Sequence, residues 1–277
     1  MKTKRLAREL QELKSKRKLC AINHLQAYKT VTAPHMKVMP EPVDFCAFEP
    51  IKEILDQHAD VDVDTDSFTH LMPDIPGMVE QWREEITAKF AKRVKSCIRH
   101  LNPSIDDDAK ESKPADTSDE SIRQRMTLAK TVYKCVECCN GSEFYFDFSF
   151  LTTSFANLFS ELPLHSKSPQ CKPLWYPRVL GHRCTTKPSG FRLSMDRSID
   201  LDILPWRRRK WTCNLIDIDE DASAAAEGVI AACGMDPEVA TADDMDDLDA
   251  RLECLECSVF DENPCHVVFG WRSAVSS

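Results

Sequence analysis

Tyr133-Lys134-Cys135-Val136-Glu137-Cys138 is the stretch on which the reading of this chain turns. Two cysteines separated by two residues set two thiolates on one short turn, which is half of a tetrahedral zinc site. The spacing returns at Cys254-Leu255-Glu256-Cys257. Each pair needs two further donors. For the first, His182 and Cys184 in the run Tyr176-Pro177-Arg178-Val179-Leu180-Gly181-His182-Arg183-Cys184 supply an imidazole and a thiol, with Cys139 and Cys171 in reserve. For the second, Cys265 and His266 follow a few residues on. Adjacent residues seldom ligate the same ion, so one of them serves, and the fourth donor is Cys233 or lies outside this sequence. Cysteine is also a small buried hydrophobe at helix ends, so the pairs alone leave a metal-free reading open.

Outward from the first pair, a helix over 121–133 leads into Cys135. Phe144, Phe146, Phe148 and Phe150 alternate with polar residues, the period of a strand with one aromatic face buried. A second strand spans Trp211 to Ile218 and should pair with the first or lie near it. Helices follow over 222–233, stopped by Gly234, and over 241–252, where Thr241 and Asp244 stand at capping-box spacing and Met245, Leu248 and Leu252 form the inner side. Residues 269–277 begin a further helix.

On the amino-terminal side, Leu6, Leu10, Leu13 and Leu25 give residues 4–26 helical periodicity among charges. The pattern fades over 23–42, a short helix spans 45–55, and Asp60 to Ser67 reads as a loop. Met78, Val79, Trp82, Ile86, Phe90, Val94 and Cys97 form the apolar stripe of a long helix after Pro76. The fold class expected is α-rich α+β, a helical amino-terminal half and a cysteine-containing module with a few strands. Its parts are a helical region over 1–100, a flexible acidic linker over 101–121 and a zinc-binding module over 122–277. The linker follows from the run of residues 102–121, which holds too little apolar surface to offset the cost of ordering.

With 277 residues, a 42% hydrophobic fraction and 29% charged residues, a sizeable core is available. The thirteen cysteines occur without an apolar signal sequence at the amino terminus, so an intracellular, reduced setting in nucleus or cytoplasm is expected. A net charge of −9 argues against a general nucleic-acid binder, although it hides a basic first helix and an acidic run over 236–262.

The chain resembles the F-box and F-box-associated cysteine-rich proteins of mushroom-forming fungi. The resemblance is carried by CAFEPIKEILDQHADVDVDTDSF at 46–68, MPDIPGMVEQW at 72–82, YKCVEC at 133–138, YPRVLGHRC at 176–184, and Ala232-Cys233-Gly234-Met235-Asp236-Pro237 with the helix into Cys254. It covers patches of residues 45–277. It implies a cysteine-rich recognition module related to the substrate-selecting components of ubiquitin ligases. Two departures stand out. A basic amphipathic helix replaces the F-box start, and the resemblance implies that the second cysteine site is cut short at the carboxyl end.

Several chemistries are excluded by spacing. Asp217, Asp219 and Asp221 open like a calcium loop, but Ala222 stands where the turn glycine belongs and Gly228 where the bidentate glutamate belongs. Asp60, Asp62 and Asp64 fail in the same way. No nucleophile elbow, phosphate loop or His-Glu-x-x-His helix occurs, so no enzymatic activity and no small-molecule substrate are expected. The function expected is protein recognition by an intracellular module stabilised by structural zinc. One alternative is a nuclear DNA-associated regulator using the basic helix, with its import-like Lys14 to Lys18 run, and the Trp206 to Trp211 cluster. The other is a metal-free helical interaction protein.

Overall fold

The computed structural model describes residues 2–31, 38–101, 118–140, 172–187, 208–253 and 268–276. Chain contacts divide it into two compact units, Met1–Lys92 with Leu180–Cys213, and Arg93–Val179 with Asn214–Ser277. The architecture is α-rich α+β, and among the described residues short antiparallel strands follow the helical first part.

The first unit is built on α1 (Lys2–Val31), α2 (Pro42–Phe45), α3 (Glu49–Leu55) and most of α4 (Ile75–Leu101), with a 3-10 stretch at Asp66–Asp74. Pro42 and Pro50 stand in first turns, where their missing N–H costs nothing. Ala21, Leu25, Phe45, Ile51, Phe68, Ile75 and Val79 close the core. Full burial of a large side chain such as Phe45 or Leu25 contributes about 1.5–3 kcal/mol. The stripe expected on α4 is found: Val79, Trp82, Ile86, Phe90, Val94 and Cys97 are buried, and Met78 packs half-buried against the core.

Arg17 is the least expected part of this core. Its side chain is buried, and its guanidinium donates to the carbonyls of Leu55 (3.3 Å), Gln57 (2.5 Å), His58 (2.8 Å) and Val61 (2.7 Å). Those carbonyls belong to the end of α3 and the turn after it, where helix geometry leaves acceptors unfilled and favours a cation.

The second unit contains α5 (Asp119–Thr127), β1 (Tyr133–Cys135), α6 (Val136–Asn140), β2 (Ile216–Ile218), α7 (Glu220–Ala232), α8 (Ala242–Leu248), β3 (Arg251–Glu253), β4 (Val268–Gly270) and α9 (Trp271–Ala274). β1 pairs antiparallel with β2, and β3 with β4. Ser118 and Asp219 cap α5 and α7 through their side chains. α7 is followed by Cys233 as its cap and then Gly234, whose φ of +77° suits a residue without Cβ. The capping box of Thr241 and Asp244 forms as its spacing predicts.

The core here is aromatic. Trp175 and Trp271 meet edge to face with ring centroids 5.0 Å apart, among Ala129, Val132, Ile230 and Met245. Trp175 Nε1 donates to the Ala129 carbonyl at 2.8 Å, and Trp271 Nε1 to Asp246 at 2.9 Å. Arg272 lies over both rings, 4.8 Å and 4.4 Å from their centroids, and pairs with Asp246 at 2.7 Å. Burial disfavours the charge on Asp246, but the donors on Arg272 and Trp271 outweigh it and hold its pKa below the usual carboxylate value.

Several boundaries differ from the sequence reading. α1 continues past Asn23 to Val31, because Leu25 and Tyr28 pack on the core and override a weak local pattern. The helix expected over 121–133 ends at Thr127: Leu128 turns extended and bridges Thr241, leaving 133–135 free to form β1. The helix expected over 241–252 ends at Leu248, where Asp249 adopts a left-handed φ of 43°, and Leu252 becomes part of β3. Residues 268–270, expected in part as helix, are β4. Of the strand expected over 211–218 only β2 forms, and its partner is β1. The Phe144 to Phe150 alternation, most of the linker and the Cys254, Cys257, Cys265 and His266 set lie outside the described residues. No described helix is long and apolar enough to cross a membrane.

Candidate metal centre

Cys135 is the last residue of β1, so its position is fixed by the strand ladder. Cys135 stands opposite Ile216, Val136 N–H donates to the Leu215 carbonyl at 2.9 Å, and Tyr133 exchanges backbone hydrogen bonds with Leu174 at 2.9 Å each way. α6 begins at once, and its first turn carries Cys138 back beside Cys135, the local geometry that a two-residue spacing allows. Tyr133 is buried here, and desolvation pushes its phenol pKa far up, so the ring serves as neutral packing.

Cys184 sits in the 3-10 turn Arg183–Thr185 and His182 stands just before it, after the turn Arg178–Gly181; no strand ladder among the described residues fixes them. Residues 208–212 hold the run instead. Arg209 Nη2 donates to the Cys184 carbonyl at 3.0 Å, and the Arg209 and Thr212 amides donate to Thr186 and Thr185 at 2.9 Å each. Trp211 is buried, with its Nε1 on the Leu180 carbonyl at 2.7 Å. Its own amide donates to Asp44 at 3.0 Å. Asp44 Oδ2 is buried without a hydrogen-bond partner among the described residues, and desolvation raises the pKa of this carboxyl.

The Trp206 to Trp211 cluster, considered above as a nucleic-acid surface, is largely engaged within the protein where it is described. Arg208 is half-buried against Glu41 (3.4 Å) and Thr186 (3.3 Å), Arg209 is half-buried on the 184–186 segment, and Lys210 alone of the three is exposed. Trp206 and Arg207 lie outside the described residues.

The two segments bring Cys135, Cys138, His182 and Cys184 together. One ligand atom from each lies within 4.8 Å of every other, with Cys135 and Cys184 buried and Cys138 and His182 half-buried. A zinc tetrahedron with Zn–S of about 2.3 Å and Zn–N of about 2.0–2.1 Å has edges of about 3.5–3.8 Å. The donors therefore need to close by at most about 1 Å to hold an ion, within reach of side-chain torsions. Three thiols and one imidazole are a soft set that suits zinc better than calcium or magnesium. The cluster can hold a metal ion, and it is the set that the two-residue spacing together with His182 and Cys184 predicts.

Other candidates part from it. Cys139 lies beside Cys138 in α6 but is not one of the four, and Cys171 is outside the described residues. Cys233, considered as a donor to the second site, follows α7 half-buried and packs on the aromatic core. The excluded calcium-like runs have structural work: Asp217 takes Arg93 at 2.6 Å, Asp219 caps α7, and Asp64 accepts from Ser67. What sequence reasoning missed is the support from Arg209 and Trp211. The only signal was their placement in one short run of four cations flanked by two tryptophans. No family model, no curated protein and no solved structure matches the chain.

Proposed function

We propose that this chain is a protein-recognition module whose fold is completed by a structural zinc ion on Cys135, Cys138, His182 and Cys184. The single observation carrying the reading is the convergence of these four donors from two segments far apart in sequence. When bound, zinc supplies a cross-link between those segments. A Cys3His shell fills all four tetrahedral positions and leaves none for a substrate water, which makes the ion structural and the module a binder. The chain's own residues pre-place the donors: the β1–β2 ladder holds one half, and Arg209 and Trp211 hold the other.

The partner expected is a protein, in an intracellular setting. On its resemblance to F-box-associated proteins, the module belongs on the substrate-selecting side of ubiquitin ligation, with the adaptor-binding box absent from the sequence. The DNA-regulator reading has less to work with, because Arg17, Arg208 and Arg209 are committed to carbonyls and side chains within the protein. Native mass spectrometry of the purified chain, with Cys135→Ser and Cys184→Ser variants, tests the metal. The expected result is bound zinc in the parent and the loss of one ion in each variant. Co-purification with ubiquitin-ligase components that depends on intact Cys135 and Cys184 tests the recognition role, and zinc-bound protein that never associates with them dismisses that role.

A further inference from the structure

The first half of α1 carries a face that its own unit does not cover. Leu6, Leu10, Leu13, Arg17 and Ala21 follow one another at helical spacings of three and four, so they share one side of the helix. At the carboxyl-terminal end of this stripe Arg17 and Ala21 are buried in the core. At the other end Leu6 is 68% exposed and Leu10 46%. A single exposed leucine needs no explanation. Two of them, one turn apart on the continuation of a stripe used for packing, form an unpartnered docking face. Exposed Lys4, Arg5, Lys14 and Lys16 surround it. Another α1 is a poor occupant, since it would oppose like charges. The fitting surface is acidic with an apolar centre.

The same chain displays such a surface on α8 and the turn before it. Val239 is 61% exposed and Leu248 45%, and Asp243 and Asp247 stand exposed one turn apart between them. Val239 and Leu248 supply an apolar centre and Asp243 and Asp247 the opposite charge, so the two surfaces are complementary. We propose that the first half of α1 of one copy docks on α8 of a second copy. Leu6 and Leu10 lie against Val239 and Leu248, while Lys4, Arg5 and Lys14 face Asp243 and Asp247. The two surfaces differ, so the contact is head-to-tail, and assembly grows with concentration into rings or open chains. The proposal is independent of the metal site, since none of these residues is a ligand.

Sedimentation velocity on the full chain across concentration, at about 50 mM and about 500 mM salt, reads it out. Species larger than the 31.5 kDa monomer are expected at low salt and should diminish at high salt. Leu6→Glu with Leu10→Glu should weaken association by about tenfold or more, the scale of losing the apolar centre of a small interface. A chain with Lys4→Glu and Arg5→Glu, and a chain with Asp243→Lys and Asp247→Lys, should each fail to self-associate. Mixed together they should associate again, because every α1 then finds an α8 of opposite charge. All these positions are exposed, and circular dichroism checks that the variants stay folded. A monomer under every condition overturns the proposal. So does association that ignores these substitutions, or charge-swapped chains that stay apart on mixing.

Discussion

The two halves of the candidate metal centre are held by different means. Cys135 ends a strand whose neighbours are backbone partners, with Ile216 opposite it and the Leu215 carbonyl accepting from the next amide. Cys184 lies in a short 3-10 turn and His182 directly before it, held by two backbone amides and two side chains from residues 208–212. A ladder survives the loss of any one side chain, because main-chain groups make it. The segment carrying Cys184 has two main-chain bonds and depends beyond them on single side chains, Arg209 and Trp211. The second half should therefore be the softer one, and more dependent on metal for its order.

That difference can be broken in graded steps. The largest effect is expected from ligand removal. Structural zinc in small modules is worth roughly 10–16 kcal/mol of binding free energy, much of it folding free energy. Cys184→Ser should abolish zinc retention and expose the 180–186 segment to protease, read by limited proteolysis with mass mapping. Cys135→Ser should release zinc as well, but leave cleavage near 133–138 slower than cleavage near 180–186.

Trp211→Ala should come next, at about 3–5 kcal/mol by thermal unfolding, because it deletes a buried indole together with its bond to the Leu180 carbonyl. Arg209→Ala should cost less stability, about 1–3 kcal/mol by the same measurement, from the Cys184 carbonyl left short of a donor. Its sharper signature is metal affinity. A group that orients a ligand segment typically tunes affinity by about 10–100-fold, and zinc competition with a chromogenic chelator reads the change.

The smallest effect is a pH dependence at Asp44. Burial raises its carboxyl pKa in the folded chain, so the folded state binds a proton more tightly than the unfolded one. Stability from this group falls as pH rises from the ordinary carboxylate range through the raised value, and stays lower at neutral pH. Asp44→Asn keeps an acceptor for the Trp211 amide and removes the charge. It should match or exceed the parent's stability at pH 7 and lose that advantage near pH 3, measured by denaturant unfolding at the two pH values. A variant much weaker than the parent at pH 7 would show the charge to be favourable there.

Much of this was open to sequence reasoning where the cause was local. The stripe on α4, the Thr241 capping box, the Gly234 stop and the four-donor set each depend on spacing within a few residues or on donor chemistry. What escaped depended on partners far along the chain. β1 could not be seen ahead of Cys135, because three residues make a strand only when Ile216–Ile218 arrives beside them. Arg17 read as part of a basic face, yet it falls four residues after Leu13 on the apolar stripe, and its carbonyl partners lie forty residues away. Arg208 and Arg209 read as part of a cationic cluster suited to nucleic acid, and only the folded chain supplies Glu41 and the Cys184 carbonyl to engage them. The helix ends at Thr127 and Leu248 were set by the pairings of Leu128 and β3, not by local propensity.

The measurement that bears most directly on the account is the native mass of the chain purified without added metal, compared with its mass after denaturation in acid. The account predicts a difference of at least one zinc ion, lost in both the Cys135→Ser and the Cys184→Ser proteins. A parent chain that is folded, protease-resistant and metal-free, and that takes up no zinc when offered it, would contradict it.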